Sequence, residues 1–465
     1  MRIEKDTMGE VKLSDESYYG AQTQRAFDNF QISSTKIPRP MIASIAMIKR
    51  SAAIVNHKLN FLDQKVKDAI VRSADEVIQG KFDNQFIVDI YQTGSGTSSN
   101  MNANEVIANR ACEILKGNKG DKSLVHPNDH VNFGQSSNDV IPTSIHIAAS
   151  MELSKRLIPE LKKLKKSLDK KSTEFKDIIK IGRTHLQDAT PITLGQEFSG
   201  YSKMIDQSIA RINSNLPFLY QLAQGGTAVG TGINTHKDFG KLIAQEISNI
   251  TNLNFKEADN HFEAQATQDS IVYLSGSLKT LSVSLYKIAN DIRWLGSGPR
   301  SGLGELILPA VQPGSSIMPG KVNPVICESL IQITSQVIGY DSAVTLGGLG
   351  GVFELNLMLP LIGYNILESI NILSNGIKMF RLKLVDDLKA NKKKCVGYIE
   401  DSLAMCTTLA PIIGYDKAAQ IAKKAYETDK TIREICLEEK VLNANELQKV
   451  LDPHSMTSPN DKTKK

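Results

Sequence analysis

Apolar residues recur at three- and four-residue spacing along most of this chain, a period that predicts helices rather than strands. From Pro40 the pattern is helical through Ile54, and it resumes across Val66 to Ile78. Further runs, Met101 to Leu115 and from Ile141 onward, each follow a polar stretch. Leu153, Leu157, Leu161, Leu164 and Leu168 then form an apolar stripe on a long helix whose other faces are rich in lysine, with Pro159 expected to bend or interrupt it. Long helices are also predicted over 192–222, 237–250, 262–295, 324–345 and 355–381. Strand-type alternation is scarce, so the expected fold class is mainly α, with the long helices in a bundle. Residues 1 to about 40 read as short turn-rich pieces. From about 395 shorter helical pieces lead into a Ser/Pro/Asn/Asp/Lys tail expected to be disordered.

Size and charge narrow the picture further. A chain of 465 residues suits two or three domains. Lys and Arg total 55 against 50 Asp and Glu, a net charge of only +5, which argues against a dedicated nucleic-acid binder. The five cysteines, Cys112, Cys327, Cys395, Cys406 and Cys436, are scattered and form no CxxC, which points to a reducing, cytoplasmic setting. No apolar core of a signal peptide follows Met1, and Leu355 to Ile366 is interrupted by Asn356 and Asn365, so a soluble chain without a membrane span is expected.

The chemistry gathers at the breaks between helices. The densest break is Gly314-Ser315-Ser316-Ile317-Met318-Pro319-Gly320-Lys321-Val322-Asn323-Pro324, whose glycines and prolines exclude regular structure. Asn323 is a plausible helix N-cap and Pro324 a first helical residue for the run Val325 to Val337. Free N–H groups at that helix end, together with Lys321, would suit an anion and stabilise a serine alkoxide. Three more breaks carry Ser95-Gly96-Thr97, then His126-Pro127-Asn128-Asp129 with Ser136-Ser137-Asn138-Asp139, then Arg183-Thr184-His185. Singly, each reads first as capping or turn chemistry. Antiparallel long helices, however, would bring alternate breaks to one end, where several clusters could meet.

No metal-ligand pattern is present: His126 and His130 are four apart but have no Cys or third His nearby. Gly230-x-Gly232 lacks a preceding strand and reads as a turn rather than a nucleotide site. Hydroxyls, carboxamides and fixed cations without a metal or cofactor suit a small dicarboxylate. They also suit proton abstraction beside a carboxylate, where the doubly charged aci-carboxylate needs donors already aimed at it. A second acid or base must handle the departing group, and His185 is the best placed histidine.

Together these motifs carry a resemblance. Gly314 to Asn323 matches the GSSxMPxKxN signature of the fumarase/aspartase superfamily, and Thr93 to Ala111, His126 to Asp139, Gly182 to Tyr201, Gly225 to Asn234 and Phe353 to Asn356 extend the likeness along nearly the whole chain. Gly182-Arg183-Thr184-His185-Leu186-Gln187-Asp188 with Pro319-Gly320-Lys321 resembles the class II fumarases, whereas aspartases tend to carry Gln at His185 and Ala at Gly320.

The resemblance implies a three-domain, mainly α subunit with a central long-helix bundle, divided as 1–138, 139–394 and 395–465. It implies a homotetramer whose active sites are shared between subunits, and reversible, metal-free hydration of fumarate to L-malate, a step of the tricarboxylic acid cycle. By the same resemblance Ser315 is the base, His185 the partner acid/base and Glu328 the residue holding His185. Ser95, Gly96, Thr97, Ser136, Ser137, Asn138, Thr184, Ser316, Lys321, Val322 and Asn323 line the substrate, and His126, Pro127, Asn128 and Asp129 form a second dicarboxylate site. The sequence departs from the pattern at Phe133, where a lysine is expected. An ammonia-lyase of the same superfamily and a non-catalytic helical scaffold are the alternatives.

Overall fold

A computed structural model describes residues 1–459, and residues 460–465 lie outside the described residues, with the end of the tail expected to be disordered. The elements run β1 (Arg2–Asp6), β2 (Gly9–Leu13), α1 (Ala21–Asn29), α2 (Arg39–Lys58), α3 (Gln64–Ile78), α4 (Thr97–Ile114), α5 (Ser137–Glu152) and α6 (Ile158–Glu174). Then come β3 (Ile179–Thr184), β4 (Gln187–Thr193), α7 (Leu194–Leu219), α8 (Phe239–Thr251), α9 (His261–Ala266), α10 (Asp269–Leu295), α11 (Val325–Gly348) and α12 (Leu359–Phe380). Shorter helices follow, among them Tyr415–Thr428, Ile432–Glu438 and Ala444–Val450, and a 3₁₀ turn closes the described chain at Pro453–Met456. The fold class is therefore mainly α, with small two-stranded sheets.

Two compact units form. The first takes residues 1–159, 208–282 and 333–374, and the second takes 160–207, 283–332 and 375–465. Long helices α7, α10, α11 and α12 contribute residues to both. In the first unit Asp341 of α11 accepts from Ser275 (2.7 Å) and Lys279 (2.6 Å) of α10, and Asn215 of α7 donates to Ser277 (2.9 Å). In the second unit a core of Ile399, Met405, Leu409, Ile421, Ile432, Ile435, Leu447 and Leu451 closes over Ile179 and Ile181 of β3.

Local chemistry sets the helix ends. Asp63 caps α3 by accepting from the Lys65 amide (2.8 Å), and Ser136 caps α5 by accepting from the Asn138 amide (3.2 Å) while Asp139 accepts from the Ser136 amide (2.9 Å). Gly96 precedes α4 with φ +73°, and a Cβ there would stand 2.9 Å from Ile141 of α5, so no larger residue fits. The predicted run 262–295 is two helices, because Thr267 takes extended backbone (φ −110°, ψ 163°). Pro159 falls in the first turn of α6. The interruption lies one turn earlier, where Leu153–Leu157 widen into a π turn because proline cannot donate to the turn behind it.

Two hairpins escape the periodicity reading. The turn-rich N-terminus contains β1–β2, paired Arg2↔Leu13 to Asp6↔Gly9. In β3 every residue from Ile179 to Gly182 is buried, so no in-out alternation marks the strand.

Candidate active site

The first unit carries two of the four polar breaks, Ser95–Thr97 and His126–Asp129 with Ser136–Asp139. Ser95 and Thr97 share a hydrogen bond between their hydroxyls (2.8 Å) at the start of α4, and the Gly96 amide turns back to the Thr93 carbonyl (2.7 Å). At Pro127–Val131 the backbone makes a π turn capped by His126, whose Nδ1 accepts from the amides of Asn128 and Asp129 (both 3.1 Å). That nitrogen is thus engaged in holding the turn. The exposed groups of this segment are the side chains of Asn128 and Asp129, while Pro127 is buried. The His126 amide in turn donates to Nδ1 of His130, whose pKa burial pushes down.

Between these clusters the loop 131–139 is braced from the core. Lys49 of α2 is wholly buried and donates to Asn132 Oδ1 (2.8 Å) and Gln135 Oε1 (3.0 Å). Burial pushes its ammonium down to about 7, and a neutral amine with two N–H donors matches two carboxamide oxygens. Asn56 donates to the Phe133 carbonyl (3.0 Å) and Asn100 to Asn132 Oδ1 (3.2 Å). The Phe133 ring, where a lysine is expected, packs 5.5 Å from that of Phe61, and the amine that reaches this loop is Lys49 of α2 instead.

Asp139, also wholly buried, accepts through Oδ2 from the amides of Gly225 (3.1 Å) and Thr227 (2.9 Å) and from Gln224 Nε2 (3.2 Å). Burial raises its carboxyl to about 6 against the opposing pull of those donors. The glycine run 225–232, read as a turn, is thereby pinned beneath Ser137 and Asn138. Asn138 donates to the Ala228 carbonyl (2.8 Å). Neither Lys49 nor Asp139 stands out in the sequence as a supporting group. The available signal is a lysine inside the apolar run of α2.

The second unit carries the remaining residues. His185 and Leu186 both have positive φ (55° and 60°), forming a two-residue I′-type turn between Thr184 and its partner Gln187. Two non-glycine residues in that region carry strain, which is held only when the surroundings dictate it. The His185 side chain is exposed and forms no hydrogen bond or ion pair among the described residues.

In the loop 314–323 the Gly314 amide donates to the Lys321 carbonyl (2.9 Å), and the side-chain nitrogen of Asn323 donates to the Gly314 carbonyl (2.5 Å). Asn323 is therefore a staple of the loop rather than the expected helix cap, because its carboxamide faces the loop and α11 begins at Val325. Ser315 Oγ accepts from the amides of Ile317 (3.2 Å) and Met318 (2.9 Å). Two N–H donors on one hydroxyl oxygen favour its deprotonated form, so the donors expected from the helix end are supplied by the loop's own backbone.

Lys321, Val322, Asn323 and Glu328 line one cavity of about 610 Å³ together with Arg293, Trp294 and the 296–299 turn. Arg183 and Leu186, which flank Thr184 and His185, line another of about 310 Å³, and Trp294 is common to both. Ser315 and Ser316 are not among the lining residues of either. Among the described residues Glu328 and His185 form no hydrogen bond or ion pair with each other. Among the described residues no group of three or more His, Cys, Asp and Glu side chains is placed to hold a metal, and no helix is long and apolar enough to cross a membrane.

A loop serine with donors on its oxygen, an exposed imidazole on a strained turn, and a lysine, asparagine and glutamate around one cavity suit the acid/base chemistry of a lyase, and the long-helix fold has relatives of that class. Residues 9–339 match the lyase family model, and residues 405–458 match the model described as the fumarase C C-terminus. Fumarate hydratase class II of Helicobacter pylori is 48% identical over 98% of this chain and 99% of its own. The mitochondrial fumarate hydratase of Dictyostelium discoideum is 52% identical over 98% of this chain and 94% of its own. The crystal structure of class II fumarase from Schistosoma mansoni superposes with a TM-score of 0.96 at 40% identity, covering 99% of this chain and all of that one. The chain belongs to the class II fumarate hydratases.

Proposed function

We propose that this chain interconverts fumarate and L-malate in the tricarboxylic acid cycle by paired acid/base steps needing no metal. Ser315 Oγ, as alkoxide, takes the C3 proton of malate. The electron pair moves into the adjacent carboxylate as an aci-carboxylate, faced by Lys321 and Asn323. It then returns to form the double bond as His185 donates a proton to the C2 hydroxyl, which leaves as water. Hydration runs the same steps in reverse. Ser95, Gly96, Thr97, Ser136, Ser137, Asn138, Thr184, Ser316 and Val322 complete the pocket, with Asn128 and Asp129 as the outward groups of a second dicarboxylate site. The observation that carries the reading is Ser315 Oγ accepting two backbone N–H groups beside Lys321.

Glu328 is assigned to hold His185 from a neighbouring subunit, since the two side chains do not meet within one chain. A homotetramer supplies that neighbour. Its support is the exposed apolar side chains of the long helices, each of which a partner subunit would cover: in the second unit Val283, Tyr286 and Trp294 on α10, and in the first unit Leu346 on α11 (63% exposed) with Leu349 (77%) and Phe353 (88%) after it. The segments 1–138, 139–394 and 395–465 serve as its domains, the last built on the core around Leu409 and Ile435. Five free thiols suit a reducing compartment such as the cytoplasm.

Mixing purified protein with L-malate should raise the ultraviolet absorbance of fumarate. Absorbance that rises with L-aspartate but not with L-malate would instead assign an ammonia-lyase.

A further inference from the structure

Beneath the turn that carries His185 lies a buried charge cluster that the reaction does not use directly. Glu305 is wholly buried and takes both guanidinium branches of Arg183, Nη1 to Oε2 at 2.9 Å and Nη2 to Oε1 at 3.0 Å. Lys180, 1% exposed, reaches the same carboxylate at 3.4 Å and Glu197 at 3.3 Å. Residues three apart on a regular strand point to opposite faces. Here the register slips between Ile181 and Arg183, and that bulge brings both cations to one carboxylate. A Cβ at Gly182 would stand 2.7 Å from the Thr190 carbonyl, so the bulge needs glycine there.

The backbone that carries this carboxylate is itself fixed. The Glu305 carbonyl accepts from the Asn391 amide (2.8 Å) and from Cys395 Sγ (3.6 Å). Arg183 also stacks 5.8 Å from the ring of Tyr398, whose hydroxyl donates to the Leu303 carbonyl (3.1 Å). A buried ion-pair cluster of this kind gives little stability over well-packed apolar residues, so its presence calls for another reason. Two parallel contacts fix the orientation of a guanidinium as well as its distance. Arg183 lies two residues before His185, and the tip beyond it is exposed, with residues 184–188 all at the surface.

We propose that Glu305 is a positioning residue, which through its two-point grip on Arg183 sets where the strained turn holds the His185 imidazole. The inference rests on the acid/base role given to His185 above. It requires that the loss on weakening the grip be a loss of His185 function and nothing else.

The test is a double-mutant cycle on the tetramer, with Glu305→Gln and Arg183→Lys each made alone and with His185→Asn. A misplacement of about 1 Å costs on the order of 100-fold in rate. Glu305→Gln should therefore lower kcat by about that factor with KM changed less than about threefold. Arg183→Lys, which keeps the charge but loses the fork, should lower kcat by about tenfold. With His185→Asn already present, either change should cost less than about threefold, because residues acting as one unit are not additive. Losses that multiply in full in the His185→Asn background would overturn the positioning role, as would normal kcat in a folded Arg183→Lys enzyme. If Glu305→Gln fails to assemble, the Arg183→Lys arm decides between these outcomes. Full activity of His185→Asn alone would overturn the underlying assignment of His185, an outcome visible before either second change is introduced.

Discussion

Two loops of similar vocabulary, 131–139 and 314–323, are held in opposite ways. Both place paired serines near an asparagine. The first is braced by side chains and amides outside itself: Lys49, Asn56, Asn100, Gln224, Gly225 and Thr227. In the second, the hydrogen bonds of Gly314, Ser315, Lys321 and Asn323 close within the loop, while Ile317 stands 83% exposed. A segment tied to buried partners opens only at the cost of those bonds, whereas one bonded to itself moves as a body at little cost. Ser136–Asn138 are thus fixed in place, as the substrate contacts of the proposed mechanism would need to be. Ser315 sits on a piece bonded to itself, which can move as a body and carry its amide-bonded oxygen along.

The contrast is most directly broken at Ser315. Ser315→Ala should lower kcat by more than about 100-fold while the protein stays folded, since the proposed mechanism gives Ser315 the C3 proton. Turnover near normal would take Ser315 out of the chemistry and the mobile loop with it.

Asp139→Asn should cost roughly 2–3 kcal/mol locally, because one carboxamide branch turns N–H groups toward donors that are already N–H groups. Amide exchange at Gly225 and Thr227 should accelerate while that at Ile317 and Met318 stays as it was. Equal acceleration at both loops would show that they are not independently held.

The smallest effect should come from Lys49→Met. The folded lysine sits at about 7 and the unfolded one at 10.5, so between those values the unfolded chain binds the extra proton and stability rises with pH. One such proton is worth up to about 1.4 kcal/mol per pH unit. Denaturant midpoints of the wild type should climb from pH 8 to 9 more than those of Lys49→Met. Parallel curves would mean that the buried amine stays charged.

Legibility in the sequence follows how local each feature is. The predicted run 192–222 appears as 194–219, 237–250 as 239–251 and 355–381 as 359–380, because a helix buries one face by a period that neighbouring residues carry. The β3–β4 hairpin is invisible to that period because β3 is covered on both faces, erasing alternation at the place where His185 is mounted. Asn323 departs from its expected capping role for a related reason: a carboxamide both donates and accepts, and only the position of the Gly314 carbonyl decides which it does here.

The residues alone determined the mainly helical fold and the inventory of reactive groups, since periodicity and side-chain chemistry travel with the chain. Tertiary structure decided which of those groups are free. His126 Nδ1 is engaged in capping a turn, Lys49 lies sealed under a loop, and His185 forms no hydrogen bond or ion pair among the described residues, on a turn whose Arg183 is gripped by Glu305. Hydrogen-bond partners and desolvation belong to neighbours in space, and residues as far apart as 183 and 305 become neighbours only when the chain has folded.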